Sequence, residues 1–500
     1  MDASEIDDFG RLFGEFLAHV VEPARGGVVG RESIVERVES FLAADPATLP
    51  VVTEDFRAFE HATIQIAIER LLDAPNVRHD LVGIGGGGRA HQSFSEILEM
   101  SRQHRAFWLG AVDYAAVPVS PDNERTCVSL GLYLIEDGEL GRLAVLLRGA
   151  NPQYGQAAML EVIAATTGDA RAWLSKLRDE RVRSNTLRGQ VLSFEPSQFA
   201  EGAGPVRFIR RPHLGRDDVI MPDGLLERIE RQVVGIAEHR DRLRAEGRHL
   251  KRGVLLYGPP GTGKTHTVRY LTAALRKFTV ILLAGPAIQF VTEACTLART
   301  LQPSLIVLED CDLVASDRSF SPSGQPLLFS ILDEMDGLGS DADVCFLLTT
   351  NRVDLIETAL AQRPGRVDLA CEIPLPDDEG RQRLLDLYGA GIELTADDVA
   401  AVVARTSGVP ASFMKELTRR ATLLSAARGG ERTTAADIRN AVDELMATQE
   451  TLTRRLLGTG GDEHSPAEPA AAPGGEPSGW FAYAPAAYTT RRLIARDETT

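Results

Sequence analysis

Between residues 223 and 375, short apolar runs alternate with stretches whose apolar positions recur every three or four residues. Val254 to Tyr257, Val280 to Leu283, Leu305 to Leu308 and Phe346 to Leu348 read as buried strands, and the stretches between them as amphipathic helices. That alternation predicts a parallel sheet with helical crossovers. Residues 376–457 keep helical spacing throughout. Residues 1–205 mix both periods and predict a separate α+β domain. Helices are expected near 4–21, 31–43, 92–103 and 156–187, and strands near 111–118, 126–135 and 142–148. The run Thr63 to Ile68 alternates like a strand, but Ile64, Ile68 and Leu71 share a helical face, and a helix is expected there. Residues 206–222 read as a short strand and a connecting arm.

The pattern fades at Gly458. Residues 458–500 are rich in Gly, Pro, Ala and Glu, which cannot bury enough apolar surface to offset chain entropy, so a disordered tail is expected. Within it Trp480-Phe481-Ala482-Tyr483 is a lone aromatic cluster, either a greasy spot in a mobile end or a partner-docking motif. The formal charge of −17 opposes nucleic-acid binding, which rests on Lys and Arg neutralising phosphates. No apolar run is long enough to span a bilayer, and the acidic start MDASEIDDFG lacks the basic residues of a secretion signal. Neither a membrane partner nor a targeting segment is expected. Cys127, Cys295, Cys311, Cys345 and Cys371 show no C-x-x-C spacing; they fit a reducing cytoplasm and neither a disulfide framework nor a zinc site.

The sharpest chemical signal is Gly258-Pro259-Pro260-Gly261-Thr262-Gly263-Lys264-Thr265, set between an apolar strand and a helix expected from His266 to Lys277. Such a loop aims backbone N–H groups and a helix N-terminus at a polyphosphate, and its glycines let the backbone come close. Lys264 is placed for the β- and γ-phosphates and Thr265 offers a hydroxyl to Mg²⁺. Two weaker patterns carry little. Gly83-Ile84-Gly85-Gly86-Gly87-Gly88 has dinucleotide-fingerprint spacing, but only Leu81-Val82 precedes it as strand, so a flexible loop is expected. Ser412-Phe413-Met414-Lys415 has the spacing of a serine hydrolase motif but falls on a helix without that motif's partners. Paired acids at 217–218, 377–378 and 397–398 sit at apparent element starts, where helix capping accounts for them.

The run LLERIERQVVGIAEHRDRL leading to KRGVLLYGPPGTGKT, the acidic strand end Glu309-Asp310-Cys311-Asp312, the strand Phe346 to Asn351, and Arg363-Pro364-Gly365-Arg366-Val367-Asp368 occur in one order. Over about 215–450 the chain resembles the AAA branch of the AAA+ ATPases, with proteasomal, valosin-type and Rieske-protein-translocase modules among the similar ones. The resemblance implies a P-loop NTPase core at 223–375 with a small α-helical lid at 376–457. It implies ATP and Mg²⁺ as ligands, with His266 beside the phosphate loop and Gly408 beside the adenine. Glu309 takes the magnesium-side position and Asp310 that of the catalytic carboxylate, the reverse of the usual Asp-Glu order. Asn351 takes the sensor position that helps place the attacking water.

Arg363 and Arg366 correspond to arginine fingers that reach the neighbouring subunit's nucleotide, which implies a homo-oligomer, a hexameric ring by likeness. Phe290 and Val291 fall where protein-threading relatives carry a gripping aromatic pair; a helix-core role is the other reading, because the family's glycine is absent. By analogy the N-terminal domain would select a protein client or adaptor. The functions implied are ATP-driven remodelling of proteins, a nucleotide-dependent assembly scaffold, or a DNA-acting motor, the last disfavoured by charge.

Overall fold

The computed structural model describes residues 32–150, 157–196, 203–312, 333–335, 337, 339, 342–354 and 367–447. All lie in one compact unit. The helix expected at 4–21 and the aromatic cluster at 480–483 fall outside the described residues.

The N-terminal domain is built on an antiparallel seven-stranded sheet. Its strands are β1 (Val51–Phe56), β2 (Val77–Gly85), β3 (Trp108–Gly110), β4 (Asp113–Ser120), β5 (Asn123–Asp137), β6 (Gly141–Arg148) and β7 (Ala158–Ala164). They lie in the order β1-β7-β6-β5-β2-β3, with β4 also paired to β5. Helices α1 (Ile34–Leu42) and α3 (Phe94–His104) cover one face, and α2 (His61–Leu72) and α4 (Thr167–Arg183) the other. Leu132 and Leu134 of β5 pack with Ile34, Val38 and Phe94, while Tyr133 and Ile135 pack with Ile64, Ile68 and Trp173. A strand covered on both faces has no polar side to show, which is why β5 reads as a continuous apolar run.

Two expectations change here. Residues 156–187 are not one helix: Ala158–Ala164 is β7, paired on both sides by β1 and β6, and the helix starts only after Thr166, whose hydroxyl accepts from the Asp169 N–H at 3.2 Å. Ala, Met, Leu and Glu favour a helix locally, and two neighbouring strands override them. Gly83 to Gly85 is not a loop but the end of β2, paired antiparallel with β3 as well as following the β2–β5 ladder. An antiparallel strand of this kind has no crossover helix and is no dinucleotide fold.

The second sheet follows the order β14-β10-β13-β12-β11-β8-β9. Its core strands are β10 (Arg252–Tyr257), β11 (Thr279–Ala284), β12 (Ser304–Glu309), β13 (Val344–Thr350) and β14 (Leu369–Glu372), all parallel. Beyond β11 the sheet is extended by a hairpin, β8 (Val191–Pro196) and β9 (Ala203–Ile209), with β8 parallel to β11. The domain boundary expected at residue 205 therefore falls inside a hairpin that belongs to this sheet. The hairpin is also where the two sheets meet: Arg210 pairs with Asp122, and Phe194 lies against Phe59 on one side, 6.3 Å between centroids, and Phe290 on the other, 6.0 Å.

Helices α5 (Lys264–Ala274) and α6 (Val291–Thr300) pack on opposite faces of this sheet, each within its own apolar core. Helices α7 (Asp378–Tyr388), α8 (Ala396–Arg405), α9 (Ala411–Ala427) and α10 (Ala435–Met446) form a small bundle around Leu385, Phe413, Leu417 and Val442. The acids at element starts act as caps: Asp377 accepts from the Gly380 N–H at 2.8 Å, and Asp398 closes a capping box with Thr395. Among the described residues no helix is long and apolar enough to cross a membrane.

Candidate active site

The loop from Gly258 to Gly263 leaves the carboxyl end of β10 and turns into α5. Two of its glycines are required by sterics. At Gly258, φ is 141° and a Cβ would stand 2.3 Å from the Ile373 carbonyl oxygen; at Gly261, φ is 76° and a Cβ would stand 2.3 Å from Ser412 Oγ. The loop is tight because it is wedged between β14 and the lid. The Thr262 hydroxyl donates to the Pro259 carbonyl at 2.9 Å and the Thr267 hydroxyl to that of Gly263, also at 2.9 Å.

Lys264 is the first residue of α5 and is buried, 6% exposed. Its Nζ donates to the carbonyls of Gly258 and Pro259, both at 2.8 Å, which curls the side chain over the mouth of the loop. Burial pushes its pKa down, while the charges of Asp310 and Asp312 work the other way. A buried ammonium at the mouth of a glycine loop that opens a helix suits a polyphosphate. Next to it, His266 Nε2 hydrogen-bonds the Asp218 carbonyl at 3.0 Å, which ties the first turn of α5 to the connecting arm.

Glu309 ends β12 at the same edge. Burial raises its pKa and the neighbouring Asp310 charge adds to that, whereas a hydrogen bond from the Thr265 hydroxyl lowers it. Among the described residues its Oε1 is buried without a hydrogen-bond partner. A carboxylate oxygen left open beside a threonine hydroxyl suits a hard cation that takes oxygen ligands, so Thr265 and Glu309 fit Mg²⁺. That ion would supply charge to the phosphate oxygens.

Asp310 adopts the left-handed backbone conformation, φ 52°, one of few non-glycine residues to do so here. The turn is held from β13: the Asp310 N–H donates to Thr349 Oγ1 at 3.0 Å, and the Cys311 N–H to the Thr349 carbonyl at 2.9 Å. Asn351 Nδ2 lies 3.4 Å from Asp310 Oδ1, so the sensor-position amide and the carboxylate are adjacent. Asp312 secures the same corner, its Oδ1 accepting from the Thr350 hydroxyl at 2.9 Å and the Asn351 N–H at 3.1 Å. Thr349, Thr350 and the bracing part of Asp312 were not singled out from sequence; two threonines ending an apolar strand beside an acidic turn were the available signal.

Other expected residues fare differently. Phe290 and Val291 are 6% and 1% exposed and sit in the core against Phe194, Ile288 and Ala294, so they present no gripping surface. The short segment Gly285–Phe290 coils directly into α6 and turns the ring inward. Gly408 takes a positive φ of 74° in the turn before α9. The residue that touches the phosphate loop is Ser412, whose N–H donates to the Gly261 carbonyl at 3.0 Å; in the sequence it stands out only as the start of a serine-hydrolase-like spacing. Arg363 and Arg366 lie outside the described residues, while Asp368 of the same stretch anchors β10 by accepting from the Gly253 N–H at 2.8 Å.

A parallel sheet whose carboxyl edge gathers a phosphate loop, its lysine, two acids and an asparagine has the layout of a P-loop NTPase core. Residues 254–375 match the model of the ATPase family associated with various cellular activities (AAA). Over this segment the chain is similar to the AAA+ ATPases. It is 32% identical over 266 residues to the ATP-dependent zinc metalloprotease FtsH 3 of Sphaerobacter thermophilus, covering 50% of this chain and 53% of that protein. It is 32% identical over 212 residues to the proteasome-activating nucleotidase of Methanothermobacter thermautotrophicus, covering 40% and 52%. A solved FIGL-1 AAA domain in complex with ADP aligns with a TM-score of 0.39 at 21% identity, covering 48% of this chain and 89% of that one. The chain spans about half the length of these two curated relatives.

Proposed function

We propose that this protein hydrolyses ATP with Mg²⁺ and, as an oligomeric ring, uses the energy to remodel or take apart protein clients. The observation that carries the reading is the convergence at one sheet edge of Lys264 and Thr265 with Glu309, Asp310 and Asn351. Lys264 and the loop N–H groups bind the triphosphate, and Thr265 with Glu309 holds the ion. Asp310, aimed by Thr349 and Asn351, orients and deprotonates the attacking water. Arg363 and Arg366 complete the site from an adjacent subunit, so turnover depends on assembly, with six subunits the expected number. The N-terminal domain chooses the client or adaptor, and the protein works in the cytoplasm. Two named relatives, an ATP-dependent protease and a proteasome-activating nucleotidase, act with protein-degrading machinery, and this supports a protein client over nucleic acid.

One observation favours a second reading. With Phe290 and Val291 buried, the expected gripping pair is unavailable, which suits an ATP-dependent assembly scaffold that threads nothing. The test is Mg²⁺-dependent phosphate release by the purified full chain, followed across concentration, with negative-stain images taken with and without ATP. Release that climbs as rings form is expected. No release under conditions of self-association would overturn the enzyme reading; rings that turn over ATP but leave every protein substrate intact would favour the scaffold.

A further inference from the structure

The connecting arm is tied to the phosphate-loop helix at both ends. Arg211, just beyond β9, directs its guanidinium at four main-chain carbonyls. These are Thr272 and Leu275 (3.1 Å) at the end of α5, Phe278 (2.9 Å) just before β11, and Gly189 (3.0 Å) just before β8. The last carbonyls of a helix have no partner within it and carry partial negative charge, so a fixed cation is favoured there. A planar fork with five donors is the side chain able to serve several carbonyls at once. Further along the arm, the Asp218 carbonyl receives His266 Nε2 in the first turn of the same helix. The strap thus holds α5 by its last turn and its first.

The root of the strap is equally well fixed. The Gly189 N–H donates to Thr279 Oγ1 at 3.0 Å, Arg188 reaches the carbonyls of Thr300 and Gln302 at 3.4 and 3.3 Å, and Arg210 pairs with Asp122 of the N-terminal sheet. α5 has 11 residues and is therefore roughly 16 Å long, so Arg211 acts through the helix and not by touching nucleotide.

We propose that Arg211 is a positioning residue for triphosphate binding, setting α5, and with it Lys264 and Thr265, in register with the hairpin that joins the N-terminal domain to the ATPase sheet. The inference rests on the ATPase reading above. The loop and Lys264 grip the phosphates in the ground state and the transition state alike, so misaligning them weakens binding more than it slows chemistry.

The experiment compares the full-length wild type with Arg211→Ala, Arg211→Gln and Arg211→Lys. Steady-state Mg²⁺-dependent ATP hydrolysis is measured alongside equilibrium binding of ATP. Arg211→Ala is expected to raise KM and Kd for ATP about tenfold while kcat stays within about threefold, and Arg211→Lys, with charge and three donors, to recover part of the loss. An unchanged KM in Arg211→Ala, a fall in kcat alone, or no recovery by lysine would overturn the proposal. If the alanine variant does not fold, the glutamine variant decides: a raised Kd supports the proposal and a wild-type Kd overturns it. Wild-type protein that binds ATP but releases no phosphate would sink the enzyme reading and leave this one to be decided by the binding measurements.

Discussion

The two sheets of this chain each have seven strands and helices on both faces, yet the phosphate loop and the acidic turn lie on the same one. In the N-terminal domain the strands alternate direction, so their ends and loops are shared between two edges. At its centre buried polar groups pair with one another: Gln65 reaches Glu69, Tyr133 and the Val128 N–H, and His61 Nε2 bonds the Val128 carbonyl at 2.8 Å. In the ATPase sheet β10, β12 and β13 all point the same way, so the phosphate loop, the acidic turn and Asn351 are delivered side by side. There, among the described residues, a buried carboxylate oxygen is left open and an ammonium is held by two carbonyls. Direction of strands decides whether polar ends converge into a site or close into scaffolding.

That contrast can be broken by substitution. The largest effect is expected from Lys264→Ala, which should weaken ATP binding by about 1,000-fold, near 4 kcal/mol, in a fluorescent-nucleotide titration. Binding within a few-fold of wild type would mean that the loop N–H groups suffice. Next is Asp343→Ala. The Arg252–Asp343 pair is fully buried at 3.0 Å, and removing the acid strands a buried guanidinium, so denaturant melting should show a loss of about 4 kcal/mol. A loss under about 1 kcal/mol would mean that water reaches Arg252. Asp310→Asn should keep ATP binding and slow turnover about 100-fold, the usual scale for a lost general base. A slower rate accompanied by weakened binding would reassign Asp310 to the ion. The smallest change belongs to the scaffold side: Gln65→Ala should cost about 2 kcal/mol of stability by orphaning Tyr133 and the Val128 N–H, with KM for ATP unmoved. A shifted KM would erase the distinction drawn between the two sheets.

Much of the ATPase edge was legible in sequence because its geometry is local. Gly258 to Thr265 carries its own strand, loop and helix start, and Glu309 and Asp310 sit at the end of an unbroken apolar run. What escaped depended on partners distant in the chain. Val191 pairs with Val280, a register no window of sequence reveals, so the hairpin was assigned to the wrong side of a boundary. β7 was taken for helix because β1 and β6, which force it flat, lie elsewhere. Ser412 meets Gly261 only once the lid is folded down, and Phe290 turns inward because Phe194 waits there. The fingers at Arg363 and Arg366 and the tail from 458 remain expectations, being outside the described residues.

The hairpin of residues 191–209 has a practical consequence for anyone dissecting this protein. A fragment begun at residue 206 or 223, where sequence alone would cut, would strip β11 of its neighbour. The main-chain groups of Val280 to Leu282 that pair with β8 would then lie bare along the rim of the sheet. Exposed rims of that kind recruit strands from other molecules, so such a fragment should clump, whereas one begun ahead of Gly189 keeps its own border sealed.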